Sequence, residues 1–252
     1  MELRKKVLVL GADEAGQAVA GRYLKDEDQV LLCDTCKDKL DAAKTALKDV
    51  DVLEITAGTP EEVNAAIDAA AVKLGGIDVF VYAVSDHEYV PFEGLDYAQW
   101  LAVRERTLNP AFMWGQGMGR KMRDQGKGGF IVYLMDSLCA WQDADDVAHC
   151  AMEWGMKGMI RCMAVTLGHF GITTNAVCAS ALDTAEAEAR RFQLAEACDV
   201  PAADVRKDLI EGTLTGRMQT AEDVAEMCRF LTTEGINING QAVQVNGGTC
   251  FN

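Results

Sequence analysis

A glycine-containing turn and a following carboxylate are the first residues of the chain whose spacing suits ligand chemistry. The turn lies in Leu10 to Ala20 (LGADEAGQAVA), where Gly11 and Gly16 separate an apolar run from a helical pattern. A turn between a strand and a helix points backbone N–H groups at an anion, typically a dinucleotide pyrophosphate. Asp34 ends the next apolar run, where an acid can bind an adenosine ribose and disfavour a 2′-phosphate. Taken alone, Gly11, Gly16 and Asp34 predict NAD binding.

The elements that must position these residues alternate regularly along the chain. Seven apolar runs rich in β-branched residues are predicted as strands, namely KVLVL, QVLLC, DVLEI, DVFVYA, GFIVYL, ITTNAVC and QAVQVN. The stretches between them are predicted as helices over Ala15 to Lys25, Lys37 to Leu47, Pro60 to Leu74, Tyr97 to Arg123 with a break near Pro110, Val147 to Leu167, and Thr220 to Leu231. This order predicts one α/β domain over residues 1–252, a doubly wound Rossmann-type fold with a seven-stranded parallel sheet and helices on both faces.

The stretch from Asp183 to Gly216 interrupts this rhythm. It holds two short charged helical patterns, around Glu186 to Cys198 and Ala202 to Glu211. An insertion after a late strand of an open α/β sheet hangs over the crevice at the carboxyl ends of the strands, where ligands bind. The stretch is either a lid on that crevice or an ordinary solvated helical pair, and the sequence favours neither.

Charge and composition exclude several classes of function. The net charge is -15, from 24 Lys+Arg against 39 Asp+Glu, and it repels phosphate backbones and anionic membrane surfaces. The apolar run Val7 to Leu10 is too short for a signal sequence or a membrane span. We therefore expect a cytoplasmic protein that binds neither nucleic acid nor membrane.

The cysteines and histidines do not form a metal pattern. Nine cysteines are scattered through apolar segments, which favours a reducing compartment. The Cys33-x-x-Cys36 pair permits zinc or redox chemistry, but no second pair with metal-ligand spacing follows it, so two reduced thiols at a strand end are the preferred interpretation. His87 and His169 have the surroundings of a loop and a helix end, and we predict no metal site.

The turn and several later motifs together resemble the short-chain dehydrogenase/reductase family over nearly the whole chain. The turn looks like the family's Thr-Gly-x-x-x-Gly-x-Gly motif. Gly216 to Val224 and Gln241 to Gly248 resemble its Gly-Arg-x-x-x-Pro-Glu-Glu-Val and Gly-Gln-x-x-x-Val-Asp-Gly-Gly segments. The turn departs from the motif, because one residue is missing, Leu10 replaces the threonine, and Ala15 or Glu14 falls at the middle glycine.

These departures weaken the cofactor site that the resemblance implies. Asp13 or Glu14 near a pyrophosphate adds like-charge repulsion. At the end of the fourth strand Tyr82 and Ser85 replace smaller residues of the family's Asn-Asn-Ala-Gly segment, and Thr56 stands where an aspartate usually faces adenine. We therefore expect no NAD in this chain, with the two glycines and the strand-end aspartate remaining as structural remnants.

All four positions of the family's Asn-Ser-Tyr-Lys catalytic set are substituted. In the family the tyrosine exchanges a proton with the substrate oxygen, the serine holds that oxygen, the asparagine orders a relay water, and the lysine lowers the tyrosine pKa. The segments WLAVRERTLNPAF, GFIVYLMD and HCAME align with the family and place Thr107, Asp136, His149 and Glu153 at these positions. Lys157 lies ~12 Å along the helix from His149, too far to replace the missing lysine. The resemblance thus implies that this chain has no catalytic residues for hydride transfer.

The segments that still match the family are those that form its scaffold and its subunit-association surfaces. In the family, the helix of the catalytic tyrosine and the preceding long helix pair with a neighbouring subunit. The matching helix here has apolar positions broader than one core stripe, namely Trp154, Met156, Met159, Ile160, Met163 and Leu167. The resemblance implies a non-catalytic subunit that assembles, as a heterotetramer, with an active paralogous subunit. That subunit would bind NAD and oxidise an alcohol to a ketone in a substrate of the hydroxyacyl-CoA type.

Two other classes of function remain open. Asp136 could orient His149 as an imidazole base, with Glu153 one turn away raising its pKa, in a rebuilt acid–base enzyme. Alternatively the old crevice binds a ligand without turnover, as in a regulatory module. The preferred interpretation is that a vacated active site has been refilled by polar residues that satisfy one another.

Overall fold

The computed structural model describes residues 4–84, 90–137, 146–180, 182–197 and 199–251. Seven strands within them form one parallel sheet in the order β3-β2-β1-β4-β5-β6-β7. The strands are β1 (Lys6–Leu10), β2 (Gln29–Asp34), β3 (Asp51–Glu54), β4 (Val79–Tyr82), β5 (Gly129–Asp136), β6 (Ile172–Ala179) and β7 (Ala242–Val245). The doubly wound α/β fold predicted from the alternating pattern is confirmed. Ser85, His87 and Cys198, which were named above, lie outside the described residues.

The helices follow the predicted order, with ends that differ by one or two residues. They are α1 (Glu14–Lys25), α2 (Lys37–Ala46), α3 (Pro60–Leu74), α4 (Tyr97–Arg106), α5 (Leu108–Gln125), α6 (Val147–Gly168), α7 (Ala185–Ala197), α8 (Ala202–Glu211) and α9 (Ala221–Leu231). Thr59 and Glu62 form a capping box at α3, where Pro60 occupies the first turn.

The break predicted near Pro110 lies instead at Thr107, between α4 and α5. Pro110 stands in the first turn of α5, where its missing N–H leaves no hydrogen bond unmade. Thr107 is the C-cap residue of α4, and its hydroxyl group donates a hydrogen bond to Val103 O at 2.7 Å. A proline at this position starts a helix, which is why it does not mark the interruption itself.

Both faces of the sheet are covered by helices. Successive residues of β1, such as Leu8 and Val9, point to opposite faces and are both fully buried. On one face the core includes side chains of α3, α5 and α6, and on the other those of α1, α2 and α9. Among the helices in the described part of the chain, none combines the length and hydrophobicity that a bilayer span requires.

Helices α5 and α6 lie side by side and run in the same direction. A Cβ atom built on Gly155 of α6 would lie 3.2 Å from Leu108 Cδ2 of α5, and one built on Gly119 of α5 would lie 2.9 Å from Leu167 Cδ1 of α6. Because the contacts advance together along both helices, the pair is parallel. The glycines allow the close approach that makes these two helices one layer.

Candidate functional site

The glycine turn between β1 and α1 is held by close backbone contacts. Gly11 has a φ of +105°, a conformation that L side chains rarely adopt, and a Cβ atom there would lie 2.7 Å from Ala83 O at the end of β4. A Cβ atom on Gly16 would lie 1.8 Å from Gly11 O. The packing of turn, helix and strand therefore requires both glycines, whether or not a ligand binds.

The N–H group of Gly16, in the first turn of α1, already has a partner within the chain. Asp13 is the N-cap residue, and its buried carboxylate accepts a hydrogen bond from Gly16 N at 3.1 Å. Burial raises the pKa of Asp13; the bond from Gly16 opposes this rise and Glu186 adds to it. Asp34 accepts from Ala12 N at 2.8 Å and from Cys36 N at 2.8 Å. The Asp13 carboxylate thus occupies the N-terminus of α1, where a pyrophosphate would bind.

The 183–216 segment lies against this turn. Glu14 Oε1 accepts a hydrogen bond from Ala185 N at 3.0 Å, and Thr184 Oγ1 accepts one from Ala187 N at 3.2 Å, so two side chains satisfy the start of α7. Asp13 and Glu14, adjacent in the sequence, therefore cap two different helices that meet at the crevice.

Buried and exposed ion pairs hold the 183–216 segment together. Arg191, which is buried, donates to Glu188 Oε2 at 2.8 Å through Nε and to Leu182 O at 3.0 Å. Arg206 donates to Asp183 Oδ1 at 2.9 Å. These contacts join α7, α8 and the chain after β6 into one unit. The hydrogen bond from Ala185 N to Glu14 connects this unit to the glycine turn.

Removing the hydrogen bond between Glu14 and Ala185 should destabilise the N-terminal turn of α7. In the Glu14→Ala variant the N-terminal amides of α7 should exchange with solvent roughly fivefold faster in hydrogen-exchange mass spectrometry, as expected from the loss of about 1 kcal/mol. Glu196→Ala is the matched control, because Glu196 is an exposed carboxylate on the same helix. Equal exchange rates in both variants would show that the bond to Ala185 does not hold the segment.

Three of the four substituted catalytic positions converge in space. Asp136, at the end of β5, places Oδ2 3.5 Å from His149 Nε2 on α6. Glu153, one turn further along α6, accepts a hydrogen bond from Asp136 N at 3.2 Å. Thr107 is different, because its hydroxyl group is bonded to Val103 O within α4.

The electrostatics of this cluster differ from those of a site that activates a phenol. Burial raises the pKa of Glu153 to about 8, so that this carboxyl group is mainly uncharged at neutral pH. Burial opposes protonation of His149, but the hydrogen bond to Asp136 and the charge of that carboxylate outweigh it and raise the pKa of His149. The position of the family's lysine therefore holds a neutral, buried acid instead of a cation.

Lys157 is buried, and its charge lowers the pKa of Glu153 by less than burial raises it. Its side chain is 3% exposed, and its Nζ lies 4.2 Å from the centre of the Trp154 ring. Among the described residues Nζ has no hydrogen-bond partner. The position of Lys157 in the sequence predicts a separation of about two helix turns from His149, but no sequence pattern predicts that its side chain is buried.

Tyr82 has other surroundings than the sequence predicts, whereas Cys33 and Cys36 are free thiols at the end of β2, as expected. Tyr82 is buried and packs on Tyr133 with ring centres 5.4 Å apart, so its bulk fills the core between sheet and helices instead of the crevice. Cys33 is buried, and burial raises the pKa of its thiol to about 12, whereas Cys36 is exposed. Within the described residues, no group of three or more metal-ligating side chains assembles.

A cavity of about 550 Å³ lies elsewhere, along α9 and the edge strand β7. Its lining includes Arg217, Phe230 and Gln244 and none of the residues of the glycine turn or of the four substituted positions. The lining also includes Asn246, Gly247 and Gly248, which directly follow the carboxyl end of β7.

Comparison with known proteins gives a consistent set of relatives. A family model described as Enoyl-(Acyl carrier protein) reductase matches residues 12–250. D-threitol dehydrogenase of Mycolicibacterium smegmatis is 28% identical over 187 residues, which cover 74% of this chain and 68% of that protein. Cis-4-hydroxycyclohexanecarboxylate dehydrogenase of Sinomonas cyclohexanicum is 28% identical over 247 residues, covering 96% and 94%.

Solved structures share the fold at low sequence identity. Levodione reductase superimposes with a TM-score of 0.89 at 23% identity and covers 98% of both chains. An actinorhodin polyketide ketoreductase with NADPH gives a TM-score of 0.90 at 23% identity and covers 97% of both chains. At this identity the superpositions show the common architecture and carry no argument about substrate or activity.

Proposed function

The chain belongs to the short-chain dehydrogenase/reductase family, and from this premise we propose that it is a non-catalytic member that assembles with an active dehydrogenase of the same family. In such an assembly the active subunit carries NAD and the catalytic residues and oxidises an alcohol to a ketone. This chain stabilises the active subunit and contributes residues beside its substrate pocket.

The observation that carries the proposal is that a buried acid, Glu153, stands at the position of the family's lysine and accepts a hydrogen bond from Asp136 N. Proton exchange with a substrate oxygen through a phenol requires a phenol and a nearby cation that makes it acidic. The phenol position holds His149, and the cation position holds an acid whose pKa of about 8 keeps it mainly neutral. The proton donor and the cation that activates it are thus both missing from the position of the reaction.

The cofactor crevice supports the same conclusion. Members of the family bind NAD(P), but the residues of this chain do not fit a dinucleotide well. Asp13 caps the helix end that a pyrophosphate would use, and Glu14 joins the 183–216 segment to the turn. A bound pyrophosphate would have to displace one carboxylate and lie beside the other, at an electrostatic cost. We therefore place the dinucleotide in the partner.

The C-terminal residues offer one route by which this chain contributes to the partner. Cys250 Sγ donates to Ser137 O at 3.3 Å, next to Asp136, and Asn246 Nδ2 donates to Cys250 O at 3.0 Å. Phe251 follows directly and is 81% exposed. An anchored backbone with an exposed aromatic side chain suits a contact that completes the substrate pocket of a neighbouring subunit.

We propose an assembly of the kind represented by the heteromeric hydroxy(phenyl)methylsuccinyl-CoA dehydrogenase of anaerobic toluene degradation. This chain would be its inactive subunit, paired with an active paralogue in a heterotetramer. The suggestion rests on resemblance, since no residue described above selects an acyl-CoA.

A second candidate function is acid–base chemistry at the refilled site. The distance of 3.5 Å between His149 Nε2 and Asp136 Oδ2 suits a carboxylate-oriented imidazole. The burial of both His149 and Glu153 argues against a substrate reaching it. A His149→Ala variant that abolishes turnover by the assembled complex would establish this candidate.

Counting dinucleotide sites tests the main proposal. In calorimetric titrations with NAD(H) we expect no binding to this chain alone. Its complex with the family dehydrogenase encoded beside it should bind one dinucleotide for every two chains. One site per chain in the complex, or binding to the isolated chain, would contradict the proposal. Undiminished activity and thermal stability of the purified dehydrogenase alone would rule out the stabilising role.

A further inference from the structure

Lys157 lies on the side of α6 that faces the edge strand β7. Ala164 occupies the same face of α6, two turns further along the helix. A Cβ atom built on Gly240, just before β7, would lie 3.2 Å from Ala164 Cβ, and Asn239 Nδ2 donates to Ala164 O at 3.1 Å. The chain that enters β7 therefore runs beside this face of α6, and Lys157 lies about 10 Å from that contact, towards the N-terminus of the helix.

Gln244 of β7 lies near the same level of the sheet and points to the same helix. It is in register with Cys178 of β6, whose side chain belongs to the core beneath α6. Because α6 runs against the strands, ~13 Å along β7 from its contact with α6 brings Gln244 close to the level of Lys157. Burial raises the pKa of the Cys178 thiol to about 12, and the charge of Lys157 is the largest influence that lowers it. Lys157 and Gln244 therefore border the same buried residue.

Both side chains hold a buried nitrogen that has no hydrogen-bond partner among the residues that the structure describes, namely Lys157 Nζ and Gln244 Nε2. The neighbours of Gln244 fix the orientation of its amide group. Asn246 Oδ1 accepts from Gly248 N at 3.0 Å, so Asn246 must present Nδ2 to the glutamine, and this Nδ2 lies 3.2 Å from Gln244 Oε1. The nitrogen of the Gln244 amide is therefore the end without a partner.

The ammonium group of Lys157 has no carboxylate partner in the described part of the chain. Glu153, one turn away on α6, accepts a hydrogen bond from Asp136 N, and burial raises its pKa to about 8, so that it is mainly uncharged at neutral pH. The ring of Trp154 stacks on the ammonium group but carries no charge. A buried cation without an anion is unfavourable, and a buried amide donor without an acceptor adds to the cost. An anion with two acceptor oxygens would satisfy both groups.

We propose that Lys157 and Gln244 bind a monocarboxylate, in a site between α6 and β7 that Trp154 covers. One carboxylate oxygen accepts from Nζ and the other from Nε2. A phosphate dianion fits less well, because one ammonium group cannot neutralise two buried charges. Trp154 is 49% exposed, so an apolar group attached to the carboxylate can lie against its indole ring. This inference is independent of the assembly proposed above, since it concerns a ligand of this chain alone.

Benzoate is a defined probe for this site, because it joins one carboxylate to one apolar ring. Sodium benzoate near saturation should raise the Tm of the full chain by about 3 °C. Benzamide at the same concentration has the same ring without the charge and should leave the Tm unchanged. Sodium chloride at the same concentration controls for ionic strength and for binding of a small monovalent anion.

Removing the cation should abolish binding and yet stabilise the free chain. In Lys157→Met the benzoate-dependent shift should disappear, while the Tm without ligand should rise by about 2 °C, because an unpaired buried charge is replaced by an apolar side chain of similar length. Lys44→Met, at an exposed position of α2, is the matched control and should change neither measurement.

A carboxylate supplied by the chain itself gives a test that needs no ligand. Gln244→Glu should stabilise the chain that retains Lys157 and weaken benzoate binding at least tenfold, because the new carboxylate takes the place of the ligand. In the Lys157→Met background the same substitution should destabilise the chain, since the new charge then has no partner. The double-mutant cycle should show a coupling of about tenfold or more in the unfolding equilibrium constant.

Four results would overturn the inference. The first is a wild-type Tm that does not respond to benzoate. The second is an equal response to chloride, which would indicate a site for a small ion only. The third is a benzoate response that persists in Lys157→Met, which would place binding elsewhere on the chain. The fourth is a cycle without coupling, which would show that Lys157 and Gln244 do not share a site.

Discussion

The free energy of unfolding of this chain should fall as the pH rises from about 5 to about 9, by on the order of a few kcal/mol. Burial raises the pKa of Glu153 from 4.5 to about 8 in the folded state, so the folded chain keeps a proton that the unfolded chain loses. His149, whose pKa is raised from 6.5, acts in the same direction above that pH. Urea unfolding at several pH values measures the slope.

A single substitution should remove most of this dependence. In Glu153→Gln the side chain stays neutral at every pH, so the slope should flatten, whereas Glu222→Gln, at an exposed position of α9, should leave it unchanged. Below about pH 4.5 stability should decline for the opposite reason, because arginine contacts lower the pKa values of Asp26 and Asp223 in the folded state. A wild-type profile that is flat from pH 5 to 9 would mean that Glu153 is not buried as a neutral acid.

Gly16→Ala should destabilise the chain by about 3 kcal/mol or more. The added Cβ atom would lie 1.8 Å from Gly11 O, a backbone atom that can move only if the turn between β1 and α1 moves with it. Gly94→Ala is the control, because a Cβ atom there meets nothing within 4 Å, and its effect should stay within about 0.5 kcal/mol. Thermal or urea unfolding measures both changes.

The same pair of variants reports why the glycine is present. If Gly16→Ala folds with the stability of the wild type and alters only nucleotide binding, the glycine serves a ligand and the close contact with Gly11 is not limiting. If stability falls while no dinucleotide binds to either protein, the glycine serves the turn itself.

The fold was predictable because its signals are local and periodic. Apolar runs and amphipathic stretches alternate along the whole chain, and the parallel order follows from that alternation. The helix that begins at Pro60 is predicted to the residue, since Thr59, Pro60 and Glu62 are each typical of a helix start. The α4–α5 break was misplaced, because Pro110 is compatible with the first turn of α5 as well as with an interruption.

Only those site residues that lie in segments similar to the family's motifs could be predicted from the sequence. The resemblance identified Asp136, His149 and Glu153, and the structure brings them together. It could not indicate that Glu14 bonds to Ala185, because the two residues are 171 positions apart and Ala185 belongs to no motif. Asp13 was expected only to repel a phosphate, and its role as a cap depends on backbone geometry that a sequence pattern does not contain.

The cap at Asp13 has a consequence for cofactor dependence. Dehydrogenases with an open anion site gain stability from their dinucleotide, and their melting temperatures follow its concentration through mass action. Here the corresponding N–H group is bonded to a side chain of the chain itself, so under the proposed function we expect no such linkage. The melting temperature of this protein should therefore be independent of the cellular ratio and supply of NAD(H). An assembly that contains it would keep half of its scaffold folded when the cofactor is depleted.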